Sequence, residues 1–282
     1  MTSQQKVRPG LLRWLRDRLA EPRLATIDVD GEQFVAAHRE ILFEKRSVQQ
    51  LFQELYRLCV DLDRRHFAGA GASIELGAGS SFFKRLYPDI VTTDIKLATH
   101  LDMVVDALRM PFRNASIRAY YGIECFHHFN DPDLFFGELQ RTLVPGGGCI
   151  LIEPFHGPVA RWFYRRLFDS ESFEPDQVEW STPAGGPMRG ANQALSYIVF
   201  ARDRDTFNTR YRDLKILREF PLNNYLRYLG SGGLNFRALL PSLLVPVARS
   251  CEIALAPMSR ILALHHVIVL RKESLPQRQE GD

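Results

Sequence analysis

The run I-E-L-G-A-G-S-S at residues 74–81 constrains the fold of this chain more than any other segment. It has the pattern of a buried strand that ends in a glycine-rich turn and opens into a helix, which is how an open α/β sheet holds a nucleotide-like ligand. Gly77 and Gly79 let the backbone turn tightly and approach a ligand closely, so a side chain at position 77 is expected to obstruct that ligand. Asp94 ends the next expected strand, 90–93, where its carboxylate can accept hydrogen bonds from both hydroxyls of a ribose.

The residue after this turn separates two kinds of nucleotide site. A dinucleotide fold needs a small residue there so that the helix start can reach a pyrophosphate, and Phe82 favours a smaller, phosphate-free nucleoside instead. The segment 73–155 resembles the class I S-adenosylmethionine-dependent methyltransferases, with a core of the methyltransferase type 11 kind. The first motif of that family is an acidic residue followed by G-x-G-x-G, and Ser81 replaces its last glycine.

Four further segments resemble the family in the order it requires. They are D-A-L-R-M-P-F at 106–112, E-C-F-H-H-F-N-D-P at 124–132, E-L-Q-R-T-L-V-P-G-G at 138–147 and I-L-I-E-P at 150–154. Arg118 departs from the family pattern, which often has Asp there. That position lies at a strand start, away from the ligand end, so binding is expected to survive the change.

The resemblance implies an α/β fold: a Rossmann-like, doubly wound sheet of about seven strands, mostly parallel with an antiparallel last strand, plus N-terminal helices and a C-terminal insertion. It implies S-adenosyl-L-methionine as cofactor, with Asp106 meeting the adenine amino group and the amide of Ala107 an adenine ring nitrogen. The implied cofactor-binding residues are Glu75, Gly77, Ala78, Gly79, Asp94, Ile95, Asp106, Ala107 and Glu124.

Three histidines are candidates for chemistry at the acceptor. Methyl transfer from a sulfonium is an in-line displacement that gains much from positioning, and a hydroxyl acceptor also benefits from a base. His127 or His128 is the first candidate and His156 the second, because the carboxyl ends of neighbouring strands converge. The alternative for each is a structural role. No metal site is predicted, since the spacing matches no metal signature and adjacent histidines on a strand end point to opposite sides.

The chain divides into three expected parts. Residues 1–70 form an N-terminal helical region, residues 71–272 the methyltransferase domain with substrate-side insertions at about 157–213 and 225–261, and residues 273–282 a polar tail. One helix is expected over 41–62, covering the cofactor cleft.

Several segments have two interpretations. The basic helix around Trp14 packs on the domain or lies on an anionic membrane surface. Residues 169–190 form a lid or an ordinary surface loop. Residues 239–247 either form a core helix or are a surface segment that lines an apolar substrate pocket or contacts lipid. His265 and His266 are expected to face opposite sides of the last strand and to be packing residues.

Composition narrows the function further. The net charge of +3 gives no reason to expect nucleic-acid binding, and the four cysteines show no C-x-x-C spacing, which favours reduced, buried thiols. Neither a signal peptide nor a membrane span is recognisable, so we expect a cytoplasmic protein. It would be peripheral to the inner face of the membrane if its N-terminal helix binds lipid.

The expected function is methylation of a small-molecule, glycan- or lipid-linked acceptor, at oxygen. The alternative is an inactive, methyltransferase-like binding or scaffold protein. The sequence leaves the oligomeric state open.

Overall fold

The computed structural model describes residues 10–168, 171–182 and 190–273. Its strands are β1 Ala72–Leu76, β2 Ile90–Asp94, β3 Met103–Val104, β4 Ile117–Ile123, β5 Leu143–Pro154, β6 Leu214–Pro221 and β7 His265–Lys272. Its α-helices are α1 Leu11–Leu19, α2 Glu32–Glu44, α3 Arg46–His66, α4 Phe83–Leu86, α5 Pro132–Thr142, α6 Pro158–Arg166, α7 Leu195–Tyr197, α8 Arg204–Arg210, α9 Tyr225–Ser231, α10 Val245–Ala254 and α11 Ser259–Leu262. Short 3-10 turns at Pro22–Leu24, Phe126–His128, Ser242–Leu244 and Ala256–Met258 and a π-helical turn at Ile198–Arg202 complete the described part.

The described strands form a single seven-stranded sheet in the order β3-β2-β1-β4-β5-β7-β6. Strands β1 to β5 pair in parallel, whereas β7 runs antiparallel to both β5 and β6. The expected Rossmann-like sheet, mostly parallel with an antiparallel last strand, is confirmed. Because β7 runs the other way, its first residue lies at the edge where the parallel strands end.

Helices cover both faces of the sheet, and the core lies between them and the strands. Successive residues of a strand point to opposite faces, and accordingly Tyr120 packs into the cluster that holds α5, while Tyr121 packs into the cluster that holds α3. The central strands are therefore apolar on both faces, as parallel strands under two helix layers are.

The expected single helix over 41–62 is wrong: α2 ends at Glu44 and α3 begins at Arg46. Lys45 leaves the helical region with φ −91° and ψ 90°. Its ammonium group donates to the carbonyl oxygen of Gly233 at 3.1 Å and to that of Phe236. This contact joins parts of the chain almost two hundred positions apart, so helical periodicity gives no sign of it.

Arg118, the departure from the family pattern, connects α3 to the sheet. Its guanidinium donates to both carboxylate oxygens of Asp63, at 2.5 and 2.7 Å. Asp63 is buried and also accepts the hydroxyl of Tyr121 at 2.6 Å. A bidentate pair of this kind fixes orientation as well as distance, so Arg118 helps hold α3 over the sheet.

The apolar stretch at residues 239–247 is not a core helix. Leu243 is 86% exposed and Leu239 is 60% exposed, and this stretch runs through a 3-10 turn into α10. Among the described helices none is long and apolar enough to cross a membrane. At the other end of the chain, α1 is joined to this region by a hydrogen bond from the amide of Arg237 to the carbonyl of Leu19 at 2.7 Å.

Candidate functional site

A cavity of about 380 Å³ opens at the carboxyl ends of β1, β2, β4 and β5, where α/β sheets bind ligands. Its volume lies in the range of small-molecule sites, roughly 300–1,000 Å³. Apolar side chains of α2 and α3 cover it, among them Phe34, Leu51 and Phe52. Residues of the segment 225–261 and of β7 also line the cavity.

The glycine turn at the end of β1 forms one wall of this cavity. Gly77 has φ +60° and Gly79 φ +48°, backbone conformations that glycine adopts without strain. A Cβ at Gly77 would lie 2.5 Å from the Cβ of Cys125, so Cys125 of the same chain already excludes a side chain there. The structure thus adds a reason for glycine at position 77, and obstruction of the ligand by a side chain stays a prediction. A Cβ at Gly79 would meet nothing closer than 3.9 Å, where Asp94 Oδ2 is one of the nearest atoms.

Asp94 lies beside that turn with its carboxylate at the cavity wall. Its Oδ2 accepts the amide hydrogen of Gly79 at 2.8 Å, and its Oδ1 accepts that of Lys96 at 2.8 Å. Two backbone donors hold this carboxylate in place while each oxygen keeps a further lone pair for a ligand. Ala78 and Ile95 also line the cavity.

Glu75 lies outside the cavity lining, behind the turn. Its carboxyl group accepts the hydroxyl of Ser81 at 2.9 Å, and Ser81 in turn contacts the hydroxyl of Tyr56 at 2.9 Å and accepts the amide of Phe83 at 3.0 Å. Burial raises the pKa of Glu75 to about 8. Glu75 and Ser81 therefore position the glycine turn from within, and the serine that replaces the last motif glycine has a structural role.

Asp106 and Ala107 line the cavity directly after β3. Asp106 Oδ1 accepts the amide of Leu108 at 2.9 Å. Glu138 and Arg141, the E-x-x-R pair of α5, hold Met110 by its backbone. Glu138 accepts the amide hydrogen of Met110 at 2.7 Å, and Arg141 donates to the carbonyl oxygen of Met110 at 2.8 Å. The E-x-x-R pair therefore holds the segment 106–112 at the cavity.

Glu124 and His265 meet inside the cavity. Glu124 follows β4 with φ +56°, a strained conformation for a residue with a side chain, and its Oε1 lies 3.4 Å from Nε2 of His265. Neither atom has a hydrogen-bond partner among the described residues, and both side chains line the cavity. Burial raises the pKa of Glu124 to about 8 and lowers that of His265 to about 3. His265 was expected to be a packing residue. The signal that identifies it is its place as first residue of the antiparallel strand, opposite Pro154 at the end of β5.

His127 lies between two carboxylates. Its Nδ1 is 2.6 Å from Oε2 of Glu153, and its Nε2 is 3.2 Å from Oε2 of Glu171. Burial opposes a charge on this ring, but the two carboxylates together raise the pKa of His127 well above its ordinary value. Burial likewise opposes charge on Glu171, and its hydrogen bond to His127 holds the pKa of Glu171 at about 2. Both ring nitrogens are occupied, so His127 in this state is a poor proton acceptor for a substrate.

His127 and His128 do not point to opposite sides of a strand, as expected. Residues Phe126–His128 form a 3-10 turn after β4, and the two imidazole rings lie 4.1 Å apart. Both histidines line the cavity together with Glu171. Glu171 comes from the segment 169–190, for which a lid or a surface loop was expected; the described part of that segment brings Glu171 to the site, and residues 169–170 and 183–189 lie outside the described residues.

His156 is not part of the cavity lining. Its ring stacks on Tyr197 with centroids 3.7 Å apart and on Phe173 at 5.8 Å. Burial lowers the pKa of His156 to about 4. The structure thus separates His156 from His127 and His128, and its surroundings are those of a packing residue.

Residues 74–151 match the family model described as a methyltransferase domain, a segment that runs from β1 through most of β5. This segment is therefore a methyltransferase domain, and the family it matches uses S-adenosylmethionine as cofactor. This confirms the enzyme class and the cofactor expected from the motifs. No curated protein matches the chain.

Solved structures of methyltransferases have a similar arrangement of elements. Geranyl diphosphate C-methyltransferase from Streptomyces coelicolor A3(2) is 15% identical over 79% of this chain and 81% of that one, with a TM-score of 0.44. Phosphoethanolamine N-methyltransferase 2 from Haemonchus contortus is 11% identical over 89% of this chain and 60% of that one, with a TM-score of 0.47.

Proposed function

We propose that this methyltransferase transfers the methyl group to an oxygen of a small-molecule acceptor, free or linked to a glycan or lipid, that binds in the same cavity as the cofactor. The observation that carries the proposal is a set of buried polar atoms without a hydrogen-bond partner among the described residues, all of which belong to side chains lining that cavity. They are Glu124 Oε1, Gln193 Oε1, Asn224 Oδ1 and His265 Nε2. Buried polar atoms in native proteins are nearly always paired, so a polar ligand is their expected partner.

The wall of the cavity that the glycine turn, Asp94, Asp106 and Ala107 form suits the cofactor. The held carboxylate of Asp94 suits a ribose diol, and Asp106 with Ala107 offers an acceptor and an amide next to apolar Val105 and Leu108. The space in front of Gly79, where a Cβ would meet only distant atoms, leaves room for close approach of the nucleoside. We therefore assign Gly79, Asp94, Asp106 and Ala107 to cofactor binding, with Gly77, Ala78 and Ile95 as neighbours and Glu75 as a positioning residue.

The residues of the chain place the acceptor and accept its proton. When bound, the cofactor supplies an electrophilic methyl group, whose bond to sulfur breaks as the acceptor oxygen bonds to carbon, leaving a neutral thioether. Glu124, whose Oε1 lies in the cavity without a hydrogen-bond partner among the described residues, takes the hydroxyl proton, and Nε2 of His265 lies 3.4 Å from that oxygen. The pKa of Glu124, raised by burial to about 8, suits a proton acceptor near neutral pH. The apolar cover from α2 and α3 keeps water from the reacting atoms.

A lipid-linked acceptor is supported by the surface of the 225–261 insertion. Leu239, Leu243 and Val247 are exposed there, and helix α9 of the same insertion contributes Tyr228 to the cavity lining. An acceptor with an apolar tail would contact these side chains while its polar head reaches Glu124. Peripheral membrane contact through the basic helix α1 belongs to the same proposal. The carbonyl of Leu19 at the end of α1 accepts the amide hydrogen of Arg237, which lies in the segment with the exposed apolar side chains.

The test has two steps. Calorimetric titration with S-adenosylmethionine and with S-adenosylhomocysteine should give micromolar affinity for both. Incubation with methyl-labelled cofactor and a panel of hydroxylated metabolites, nucleotide sugars and polyprenyl-linked sugars should then give a methyl ether, identified by mass spectrometry and NMR. A product methylated at nitrogen or carbon would contradict the assignment to oxygen, and absence of cofactor binding by folded protein would contradict the cofactor assignments.

A further inference from the structure

We propose that His127, His128 and Glu171 form a binding site for a divalent transition-metal ion at the acceptor side of the cavity. One ring nitrogen of each histidine and one carboxylate oxygen of Glu171 lie within 4.8 Å of one another. Two histidines and one carboxylate are the protein ligands of many catalytic zinc and non-haem iron sites, which keep a further position open. All three side chains line the cavity, so that open position would face the acceptor.

The distances suit a single ion after small side-chain rotations. Ligand atoms at about 2.0–2.2 Å from zinc lie roughly 3.3–3.6 Å apart in a tetrahedral set. Nε2 of His127 is already 3.2 Å from Oε2 of Glu171. The neighbouring rings of His127 and His128 have centroids only 4.1 Å apart. No two of the three ligand atoms lie more than 4.8 Å apart, so a shift of roughly 1–1.5 Å at the ring nitrogen of His128 completes a set with tetrahedral spacing.

The surroundings of His127 orient it as a metal ligand. Glu153 is completely buried and accepts the backbone amides of Cys125, Phe126 and His127 at 2.8–3.2 Å, so it is held as an acceptor. The Nδ1–H of His127 must then donate to Glu153 at 2.6 Å, and Nε2 is left to face the cavity. A carboxylate that holds the far nitrogen of a metal-bound histidine is the usual outer partner in such sites.

Glu171 is oriented in the same way. The amide of Gln193 donates to its Oε2 at 3.0 Å, which turns the carboxylate toward His127. With Nδ1 of His127 donating to Glu153, a neutral ring would turn the lone pair of Nε2 toward the lone pairs of Glu171 Oε2 at 3.2 Å. Two acceptors at this distance need a positive charge between them, which is either a proton on Nε2 or a metal ion.

The role of the ion rests on the proposed function, although its binding does not. An ion at this position would bind the acceptor hydroxyl, lower the pKa of that hydroxyl and place its oxygen for attack. Glu124 would then receive the proton, as proposed above. His127 and His128, the first catalytic candidates from the sequence, would act as ligands rather than as the base.

The experiment is a metal titration of the full chain after removal of bound metal with a chelator. Zn²⁺, Mn²⁺ and Mg²⁺ are titrated separately by calorimetry, and Co²⁺ is added to record its ligand-field absorption. We expect one equivalent of Zn²⁺ or Co²⁺, with the absorption of a low-coordinate nitrogen and oxygen site. His128→Ala and Glu171→Gln should each weaken binding at least 10-fold. His66→Ala, which replaces a histidine outside the cavity lining, should bind as the unchanged protein does.

Two results would overturn the site. One is a folded, unchanged protein that gives no binding heat and no Co²⁺ absorption. The other is binding that survives both His128→Ala and Glu171→Gln, since the ion would then lie elsewhere. Circular dichroism of each variant excludes unfolding as the cause of a loss. Cofactor titration of the metal-free protein separates the two proposals: S-adenosylmethionine binding without any metal binding removes the metal site and leaves the proposed function intact.

Discussion

The hydroxyl of Ser81 donates to the fully enclosed carboxyl group of Glu75 at 2.9 Å, and no charged partner accompanies that carboxyl group among the described residues. Its raised pKa, about 8 against an ordinary 4.5, follows from burial. Between these two pH values the folded chain keeps a proton that the unfolded chain has lost. The free energy of unfolding contributed by Glu75 therefore falls as pH rises from about 4.5 to 8.

Glu75→Gln should remove this dependence, because glutamine is the uncharged isostere and can still accept from Ser81. We predict that the variant gains stability over the unchanged apoprotein as pH rises through that window, by about 1.4 kcal/mol per pH unit at most. Urea unfolding at several pH values measures it. Glu40→Gln, at an exposed position of α2, is the matched control. A stability difference that does not change with pH would mean that Glu75 titrates normally.

Substitutions at the two turn glycines should have different effects. Gly77→Ala forces a Cβ to 2.5 Å from Cys125 at positive φ, so we predict a loss of several kcal/mol of stability, roughly 2–4. Gly79→Ala has free space and costs only about 1 kcal/mol of backbone strain. The latter variant should stay folded and bind S-adenosylmethionine at least 10-fold more weakly. Thermal unfolding and calorimetry on both variants check this, and equal stability of the two would contradict the close contact at Cys125.

Asp94→Ala should weaken cofactor binding by roughly 1.5–3 kcal/mol, the value typical of a lost hydrogen bond to a charged group. Calorimetric titration with S-adenosylhomocysteine measures the change. Asp89→Ala, an exposed aspartate just before β2, should leave the affinity as it is. Unchanged affinity in Asp94→Ala would remove this carboxylate from the ribose site.

Glu124→Gln tests the proton acceptor. His127, Glu153, Glu171 and His265 surround this group, and burial raises its pKa to about 8. As the carboxylate forms, the rate of the unchanged enzyme should increase with pH up to about 8. In the variant we predict a kcat at least 100-fold lower, no increase of rate with pH over that range, and a cofactor affinity within a few-fold of normal. A large loss of cofactor affinity instead would place Glu124 at the cofactor, as first predicted.

His156→Phe should keep methyl transfer within about 2-fold of normal. Phenylalanine retains the stacking on Tyr197 and removes a buried Nε2 that has no partner among the described residues. Because burial lowers the pKa of His156 to about 4, the histidine also costs stability as pH falls below its ordinary 6.5, and the variant should be less acid-sensitive. Loss of turnover with normal folding would restore His156 as a catalytic candidate.

The local part of this architecture follows from neighbouring residues. The strand, the glycine turn and the acidic end of the next strand are read from short segments whose chemistry is self-contained, and they predict Gly79, Asp94 and Asp106 at the cavity wall. The further motifs carry the family resemblance, and that resemblance implies the parallel sheet, in which each segment forms one strand or helix of a repeated unit.

What the tertiary structure decided are the contacts between residues far apart in the chain. His265 reaches Glu124 because β7 runs antiparallel and begins at the edge where β5 ends. Glu171 reaches His127 from a segment without a regular hydrophobic pattern. Lys45 separates α2 from α3, and its ammonium group donates a hydrogen bond to the carbonyl of Gly233. Sequence periodicity records which side of an element is apolar, but the direction of a strand and the pairing of distant polar groups depend on how whole elements pack, which no local pattern contains.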